Sequence, residues 1–284
     1  MKIVRSVAAL QAWRHAVGIE TVALVPTMGS LHAGHLALLK EARARVPQGE
    51  GMVALSIFVN PTQFNRAEDL HNYPSDEQGD LRQAEHEGVD LVFIPQNPKE
   101  LYAKASQTWV NVDGLDARLC GGSRPGHFRG VCTVVAKLWG LFRPDIAIFG
   151  QKDFQQLAII RRMHADLFLS GEVIACPTQR EHDGLALSSR NARLSAQARR
   201  DAPKVFACLQ ALKKRVLSGD CSPSSLREYA EQSVAPGVLD YVELLDAQTL
   251  APIPDGSRAR VCAIAVEFEG VRLIDNLVIP RESG

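Results

Sequence analysis

The sequence has no excess of charge of either sign. Lysine plus arginine and aspartate plus glutamate number 32 each, so the formal net charge is zero. A protein that binds a polyanion usually carries a basic excess or a basic stripe, and neither occurs along the 284 residues. We therefore expect no nucleic acid partner. Because the net charge is zero, charge repulsion offers little opposition to self-association.

Long apolar runs are also missing. No stretch approaches the roughly 20 apolar residues that a membrane-spanning helix needs. The charged start Met1–Ser6 is followed by no apolar core of the kind found in a signal peptide. We therefore expect a cytoplasmic protein that does not bind membranes. Hydrophobic residues at 46% and charged residues at 23% are ordinary for a globular protein of one large or two medium domains.

The six cysteines form no recognisable metal or redox motif. No Cys-x-x-Cys pair occurs, and no spacing matches a zinc finger. In a chain of this length, such cysteines are typical of buried, reduced thiols in an intracellular protein. They are Cys120, Cys132, Cys176, Cys208, Cys221 and Cys262.

Short apolar runs alternate with helical patterns in the first part of the chain. Such runs are typical of parallel strands that are covered on both faces. Strands alternating with helices predict an α/β protein with a parallel sheet. Trp109–Val112 predicts one further short strand. The main strand-like runs are 21–25, 52–58, 90–94, 145–149 and 172–176.

The pattern changes after Pro177. A polar loop is followed by helical patterns over 195–217 and 222–233, and then by strand-like runs at hairpin spacing. Helices followed by such strands predict a small α+β domain. We therefore predict a first domain over 1–177 and a second over 178–284.

A strand, a glycine turn and a helix start meet in residues 26–35, Pro-Thr-Met-Gly-Ser-Leu-His-Ala-Gly-His. His32 and His35 are three residues apart and would share one helix face. Gly34 between them has no side chain to obstruct a ligand. A helix start presents unpaired N–H groups and partial positive charge, so the stretch predicts a nucleotide-phosphate site. The alternative is a pair of ordinary surface histidines near a helix cap.

Two other predicted strands also end in polar loops. Gln63 follows Asn60-Pro61, and its amide suits a hydroxyl or a carboxylate. Lys152 suits a phosphate, whereas Asp153 is explained equally well as a helix cap. Ligands of open parallel sheets bind outside the carboxyl ends of the strands, so we expect these side chains to converge there.

Two loops leave alternatives open. Residues 188–191, Ser-Ser-Arg-Asn, offer hydroxyls and a guanidinium that suit a phosphate, but a solvated loop is an equal alternative. Residues 124–130, Arg-Pro-Gly-His-Phe-Arg-Gly, fit either a mobile basic lid or a plain connection.

Taken together, these stretches resemble the pantothenate synthetase (pantoate–β-alanine ligase) family, within the superfamily of nucleotidylyltransferases with a His-x-Gly-His signature. The resemblance covers nearly the whole chain. It implies a Rossmann-like parallel sheet with helices on both faces, a smaller α+β C-terminal domain that closes over the site as a lid, and a homodimer. The matching blocks are 26–35, 58–64, 123–131, 149–157, 183–191 and 272–276.

The resemblance also implies a reaction. Pantoate and β-alanine would condense in a Mg²⁺-dependent step driven by ATP, through a pantoyl adenylate, with release of AMP and pyrophosphate. One alternative is a nucleotidylyltransferase acting on a phosphorylated acceptor. Gln63 and Gln156 argue against it, because such an acceptor calls for more cations. The other alternative, a non-catalytic nucleotide-binding protein, is disfavoured by the intact set of histidine, lysine and arginine side chains.

The resemblance assigns two sets of residues to ATP and its chemistry. The catalytic set would stabilise the charge that develops as pyrophosphate leaves. It comprises His35, His32, Lys152 and Arg190. The ATP-binding set comprises Met28, Gly29, Ser30, Leu31, His32, Ala33, Gly34, His35, Gly150, Gln151, Lys152, Asp153, Gln179, Leu187, Ser188, Ser189 and Arg190.

The remaining implied roles concern the other substrates and the metal. Gln63 would contact pantoate and β-alanine, and Gln156 would contact pantoate. Asp80 is the candidate Mg²⁺ ligand, because Gly79 stands where the family usually has the first residue of an acidic pair.

The histidine assignment yields the first prediction. His35→Ala should slow formation of the pantoyl adenylate by about 10²–10³ in kcat, the usual cost of losing one charge-stabilising donor. The fold should stay intact. The rate of pyrophosphate release in single-turnover mixing measures the effect, and an unaltered rate would contradict the role given to His35.

Overall fold

A computed structural model of the chain describes residues 1–18, 20–103, 106–253 and 257–281. The chain forms two compact units, Met1–Gln151 with Ile159–Pro177, and Lys152–Ala158 with Thr178–Gly284. The short stretch 152–158, which the sequence predicts in the first domain, thus groups with the second unit. The domain assignment stays a prediction, and its residues 19, 104, 105, 254–256 and 282–284 lie outside the described residues.

The first unit is built around a six-stranded sheet. Its strands are β1 (Lys2–Val4), β2 (Thr21–Thr27), β3 (Gly51–Ile57), β4 (Leu91–Phe93), β5 (Ile146–Gly150) and β6 (Glu172–Cys176). They lie in the order β1-β4-β3-β2-β5-β6, and each neighbouring pair is parallel. The predicted strand runs correspond to β2 to β6, and the structure adds β1. The predicted parallel α/β class is confirmed.

Seven α-helices lie in the described part of the chain before Pro177. They are α1 (Val7–Val17), α2 (Ala33–Arg45), α3 (Ala67–His71), α4 (Glu77–His86), α5 (Leu119–Ser123), α6 (His127–Phe142) and α7 (Phe154–Asp166). Short 3-10 helices occupy Pro61–Gln63, Pro98–Glu100 and Gln151–Asp153. No helix of the described residues is long and apolar enough to cross a membrane.

Helices cover both faces of the sheet because successive strand residues point to opposite sides. Val25 belongs to a buried cluster with Leu39 of α2, on one face. On the other face, the Phe93 ring of β4 contacts the Phe142 ring of α6, and Phe142 contacts Trp13 of α1. Both faces are therefore apolar, which explains why the strands are nearly continuous apolar runs in the sequence.

After Pro177, the described residues form three α-helices and an antiparallel sheet of order β7-β8-β9. These elements are α8 (Ala196–Asp201), α9 (Lys204–Leu217), α10 (Pro223–Val234), β7 (Val238–Asp246), β8 (Arg260–Phe268) and β9 (Val271–Ile279). Helix and sheet residues such as Leu209 and Ile264 share one buried cluster. The predicted single helix over 195–217 is wrong, because Pro203 lacks the N–H and the space that a continuous helix requires.

The predicted strand at Trp109–Val112 is also wrong, since these residues belong to no strand of the described chain. The Val110 N–H donates to Thr133 Oγ1 at 3.0 Å instead of to a strand partner. The Trp109 ring stacks on Tyr102, with ring centres 6.3 Å apart, and the Arg129 guanidinium lies over it. Side-chain stacking, rather than a backbone ladder, holds this segment.

The cysteines all carry thiols and form no disulfide. The prediction that all are buried is wrong for two of them, because Cys120 and Cys221 are half-buried. The buried ones are Cys132, Cys176, Cys208 and Cys262. Burial raises the pKa of Cys132 to about 12, that of Cys208 to about 11 and that of Cys262 to about 12.

These thiols yield a labelling prediction. Iodoacetamide at pH 8 should modify Cys120 and Cys221 of the native protein well before the four buried cysteines. A thiol with a pKa of about 12 is roughly one part in 10⁴ thiolate at that pH, and the thiolate is the nucleophile. Peptide mass spectrometry after timed quenching measures the order. Early labelling of Cys262 in the folded protein would contradict the packing described here.

Candidate active site

The order of strands reverses between β2 and β5. From β2 the chain continues outward through β3 to β4, and β5 then pairs with the other side of β2. Ligands of open α/β sheets bind outside the carboxyl ends of the strands at such a switch point. Residues 28–35 directly follow β2, and Gly150 ends β5. The structure thus brings these two predicted ATP-binding segments to the same edge of the sheet.

The loop after β2 turns sharply at two successive residues. Gly29 has a φ of +79° and Ser30 a φ of +53°, both in the left-handed region. A Cβ atom on Gly29 would lie 2.9 Å from both Asp80 Oδ2 and Ile57 Cγ2. The tight packing and the positive φ together explain why glycine occupies this position.

Asp80 braces this loop from α4. Its side chain is buried, and its two oxygens accept hydrogen bonds from the backbone N–H groups of Ser30 at 2.8 Å and Leu31 at 2.6 Å. Burial raises the pKa of Asp80, and the two amide hydrogen bonds oppose that rise. The Asp80 carboxylate therefore supplies acceptors for two backbone N–H groups of the loop, which would otherwise be buried without a hydrogen bond.

This arrangement bears on the expected magnesium site. Both Asp80 oxygens already have amide partners. Within the described ranges, no group of three or more His, Cys, Asp or Glu side chains is placed to hold a metal ion. The described side chains thus form no protein cage for Mg²⁺, and Asp80 as its ligand stays a prediction.

The two signature histidines lie next to each other at the start of α2. His32 is the N-cap residue, and its Nδ1 accepts a hydrogen bond from the Gly34 N–H at 3.1 Å. In the neutral ring this leaves the proton on Nε2. The ring centres of His32 and His35 are 4.1 Å apart. One nitrogen of His32 therefore caps the helix, which fits the alternative of ordinary histidines near a helix cap. The two rings nevertheless lie side by side on one face, as predicted.

Backbone donors contribute less at this helix start than the sequence indicates. The N–H groups of Ser30 and Leu31 donate to Asp80, and the Gly34 N–H donates to His32. The His35 N–H donates to the His32 carbonyl oxygen at 2.8 Å. These four N–H groups already have acceptors, so a phosphate bound at this position would depend more on the imidazoles than on them.

Gln63 is held in place by neighbours on both ends of its amide. The Asn60 side chain caps the 3-10 helix Pro61–Gln63 and donates from Nδ2 to Gln63 Oε1 at 3.0 Å and to the Gly130 carbonyl oxygen at 3.1 Å. Gln63 Nε2 donates to Met28 Sδ at 3.0 Å. The structure thus joins a predicted pantoate residue after β3 to a predicted ATP residue after β2.

The basic segment 124–130 holds the backbone of Gln63, a role that the sequence does not reveal. His127 Nδ1 donates to the Gln63 carbonyl oxygen at 2.8 Å, and Arg124 Nη2 donates to the same oxygen at 3.3 Å. A Cβ atom on Gly130 would lie 2.5 Å from the Thr62 carbonyl oxygen. These contacts make the segment a brace for Gln63, while the lid and the plain connection stay predictions from the sequence. In the sequence, only its presence among the blocks that resemble the family indicates that this segment has a role.

The second unit has its own cluster of predicted ATP residues. Lys152, Ser188 and Arg190 line one cavity together with Arg272 and Asp275. Lys152 comes from the 3-10 helix before α7, whereas Ser188 and Arg190 come from the cap and the first turn of a 3-10 helix before α8. Folding of this unit therefore brings a lysine and an arginine from separate segments to one concave surface.

The other predicted residues of the second unit are placed as follows. The Leu187 N–H donates to the Gln179 carbonyl oxygen at 2.9 Å, so these two form the open end of a hairpin. Ser188 Oγ accepts from the Arg190 N–H at 3.3 Å and caps the 3-10 helix Ser189–Arg193. Asp153 is exposed and Gln156 is half-buried in the first turn of α7.

A parallel α/β sheet with a switch point, a double-histidine helix start there and a lysine–arginine cavity define a class, that of nucleotide-using α/β enzymes. Within this class, the sequence matches one particular family. The family model described as pantoate-beta-alanine ligase matches residues 2–278, and the chain belongs to that family.

Related proteins agree with this family. A pantothenate synthetase from Anaeromyxobacter dehalogenans is 47% identical over 263 residues, covering 91% of each chain. One from Desulfatibacillum aliphaticivorans is 46% identical over 284 residues, covering 98% of this chain and 99% of its own. The family and the ligase activity predicted from the sequence are thus confirmed.

Solved structures agree as well. The crystal structure of pantothenate synthetase from Thermus thermophilus has a TM-score of 0.89 at 43% identity, covering 98% of this chain and 99% of its own. That of pantoate-beta-alanine ligase from Francisella tularensis, complexed with beta-gamma ATP and beta-alanine, has a TM-score of 0.79 at 31% identity, covering 100% and 99%.

The Asp80 brace yields a prediction that separates it from a metal ligand. Asp80→Ala should lower the free energy of unfolding by about 2 kcal/mol or more, because two buried N–H groups lose their acceptor. Hydrogen exchange at Ser30 and Leu31 should become faster. Asp80→Asn, which keeps one acceptor oxygen, should have a stability between that of the alanine variant and that of the wild type.

Urea unfolding with and without Mg²⁺ distinguishes a structural brace from a metal ligand at Asp80. As a brace, Asp80 gives a stability difference that does not change with Mg²⁺. If Mg²⁺ stabilises the wild type but not Asp80→Ala, the carboxylate is a metal ligand and the brace is a secondary role.

Proposed function

We propose that this chain condenses pantoate with β-alanine, using ATP and releasing AMP and pyrophosphate. One structural observation carries the proposal at the level of the site. A double-histidine helix start follows β2, and Gln63, which follows β3, is hydrogen bonded to Met28 of that same loop. A phosphate-binding type of element and an amide that suits a hydroxy acid are therefore adjacent at one edge of the sheet.

The first step of the proposed reaction activates the acid. A pantoate carboxylate oxygen attacks the α-phosphorus of ATP, and the bond between that phosphorus and the oxygen bridging to the β-phosphate breaks. Pyrophosphate leaves with growing negative charge. We assign stabilisation of this charge to the side chains of His32, His35, Lys152 and Arg190, since prearranged donors and cations act most strongly where charge develops.

The second step forms the amide. The amine of β-alanine attacks the acyl carbon of the adenylate, the bond from that carbon to the AMP oxygen breaks, and the nitrogen loses a proton. No enzyme nucleophile is required, so positioning of the substrates is the main contribution. We assign this positioning to Gln63 for pantoate and β-alanine, and to Gln156 for pantoate.

The proposed ATP contacts follow the local geometry. The Ser30 and Leu31 N–H groups donate to Asp80, so we assign their contribution to loop shape. Gly34 allows close approach of a ligand because it lacks a side chain, whereas the glycine at 29 permits the tight turn of the loop. In the second unit, Gln179 and Leu187 pair through their backbones, so we assign a main-chain contact to Gln179.

The proposal also includes a metal ion, a cellular location, an oligomeric state and a role for the C-terminal domain. Mg²⁺ would arrive bound to the phosphates of ATP, because this ion keeps several waters and commonly binds through substrate phosphates. The described side chains form no cage for it, and no step above is assigned to it. We also propose a cytoplasmic homodimer in which the C-terminal domain acts as a lid, as the resemblance implies.

The experiment that tests the function measures AMP release from ATP. AMP should form at a substantial steady-state rate only when both pantoate and β-alanine are present. Pantoate alone should release at most one equivalent of pyrophosphate per site and no AMP, because the AMP stays in the adenylate. Steady AMP release with neither acid present would contradict the ligase, and release driven by a phosphorylated acceptor would favour nucleotidyl transfer. Omission of each substrate in turn, followed by chromatography, supplies the controls.

A further inference from the structure

Two buried polar residues of β9 have no role in the steps described above. Asp275 and Asn276 are adjacent in the sequence and each is 4% exposed. Buried polar side chains are costly unless they make specific hydrogen bonds, so their partners indicate what they do. The Asn276 N–H donates to Asp275 Oδ1 at 2.8 Å, which ties the two residues together.

Asn276 contacts the segment that carries Lys152. Its Nδ2 donates to the Lys152 carbonyl oxygen at 2.9 Å. Lys152 lies in the 3-10 helix Gln151–Asp153, just before α7, and lines the cavity of the second unit. A hydrogen bond to this carbonyl fixes the backbone from which the lysine side chain extends.

Asp275 contacts the segment that leads to Arg190. Its carboxylate makes a two-point ion pair with Arg180, with distances of 2.5 Å to Nη1 and 2.9 Å to Nη2. Arg180 Nη1 also donates to the Gly184 carbonyl oxygen at 3.1 Å, and its guanidinium lies 3.7 Å from the centre of the Phe206 ring. Three kinds of contact therefore fix the position of the Arg180 side chain.

Arg180 in turn shapes the hairpin that precedes Ser188. Arg180 and Ala186 form an antiparallel bridge across this hairpin. Gly184 has a φ of +93°, and a Cβ atom there would lie 2.6 Å from the Phe206 ring, so the turn fits closely around the same contacts. The position at which the chain leaves the hairpin toward Ser188 therefore depends on Arg180 and its partner carboxylate.

From these contacts we infer that Asp275 and Asn276 are positioning residues for binding of the ATP phosphates. One strand holds both the Lys152 segment and the Arg190 segment, which come from different parts of the chain. The inference rests on the proposed function, because it takes Lys152 and Arg190 as phosphate contacts. It explains why 272–276 is among the blocks that resemble the family, although none of its residues has an assigned role in the reaction.

The test compares Michaelis constants of Asn276 variants. Asn276→Ala and the isosteric Asn276→Asp both lose the donor to the Lys152 carbonyl. The KM for ATP should rise about 3- to 10-fold, the size expected for losing one hydrogen bond of a positioned group. The KM for β-alanine should stay within about twofold. Asn111→Ala, which changes an exposed asparagine of the first unit, is the matched control and should leave both constants unchanged.

A purely structural role would give a different result. Loss of folded protein lowers kcat and leaves both KM values unchanged, because KM does not depend on the active fraction. Unchanged KM for ATP in both Asn276 variants, or an equal rise for ATP and β-alanine, would overturn the inference. If Asn276→Ala does not fold, Asn276→Asp alone decides between these outcomes.

The Asp275→Asn variant provides an independent test of the same inference. It keeps the size of the side chain but removes the charge that faces Arg180, so the KM for ATP should again rise selectively. No AMP release by the wild type would refute the proposed function itself. A normal wild-type rate with unaltered variants would refute only the positioning role.

Discussion

The central constraint of the first unit is the parallel pairing of β2 with β3 on one side and β5 on the other. Parallel strands end at a common edge, so the residues that follow each of them are delivered to the same region. The signature loop, the loop with Gln63 and the end of β5 at Gly150 meet there for this reason. The apolar layers on both faces of the sheet hold the strands in this register.

Each functional segment is then fixed by a buried polar contact. Asp80 holds the loop before α2, Asn60 and His127 hold Gln63, and Asp275 with Asn276 holds the segments of the second unit. Catalysis by positioning requires side chains whose freedom is already restricted before the substrates bind. Polar contacts of this kind, which take no direct part in the proposed chemistry, supply that restriction.

Local pattern predicted much of the fold. The run 172–176 becomes β6 with the same bounds, because apolar β-branched runs between turn signals have few other stable arrangements. Errors arise where a single residue or a distant contact overrides the pattern. Pro203 divides a helical pattern into α8 and α9, and the Val110 N–H donates to the distant Thr133 hydroxyl instead of to a strand partner. Likewise, Cys120 and Cys221 cannot be separated from the buried cysteines by composition alone.

For this protein, the sequence by itself determined the family and the parallel α/β class, and it predicted a set of candidate site residues. Motif spacing and apolar periodicity carry that information because both are local properties of the chain. Only the tertiary structure decided what holds those residues in place. Asp80 reaches Leu31 across 49 positions, and Asn276 reaches Lys152 across 124. Hydrogen bonds between such distant residues leave no periodic trace, since they depend on how the strands and helices pack.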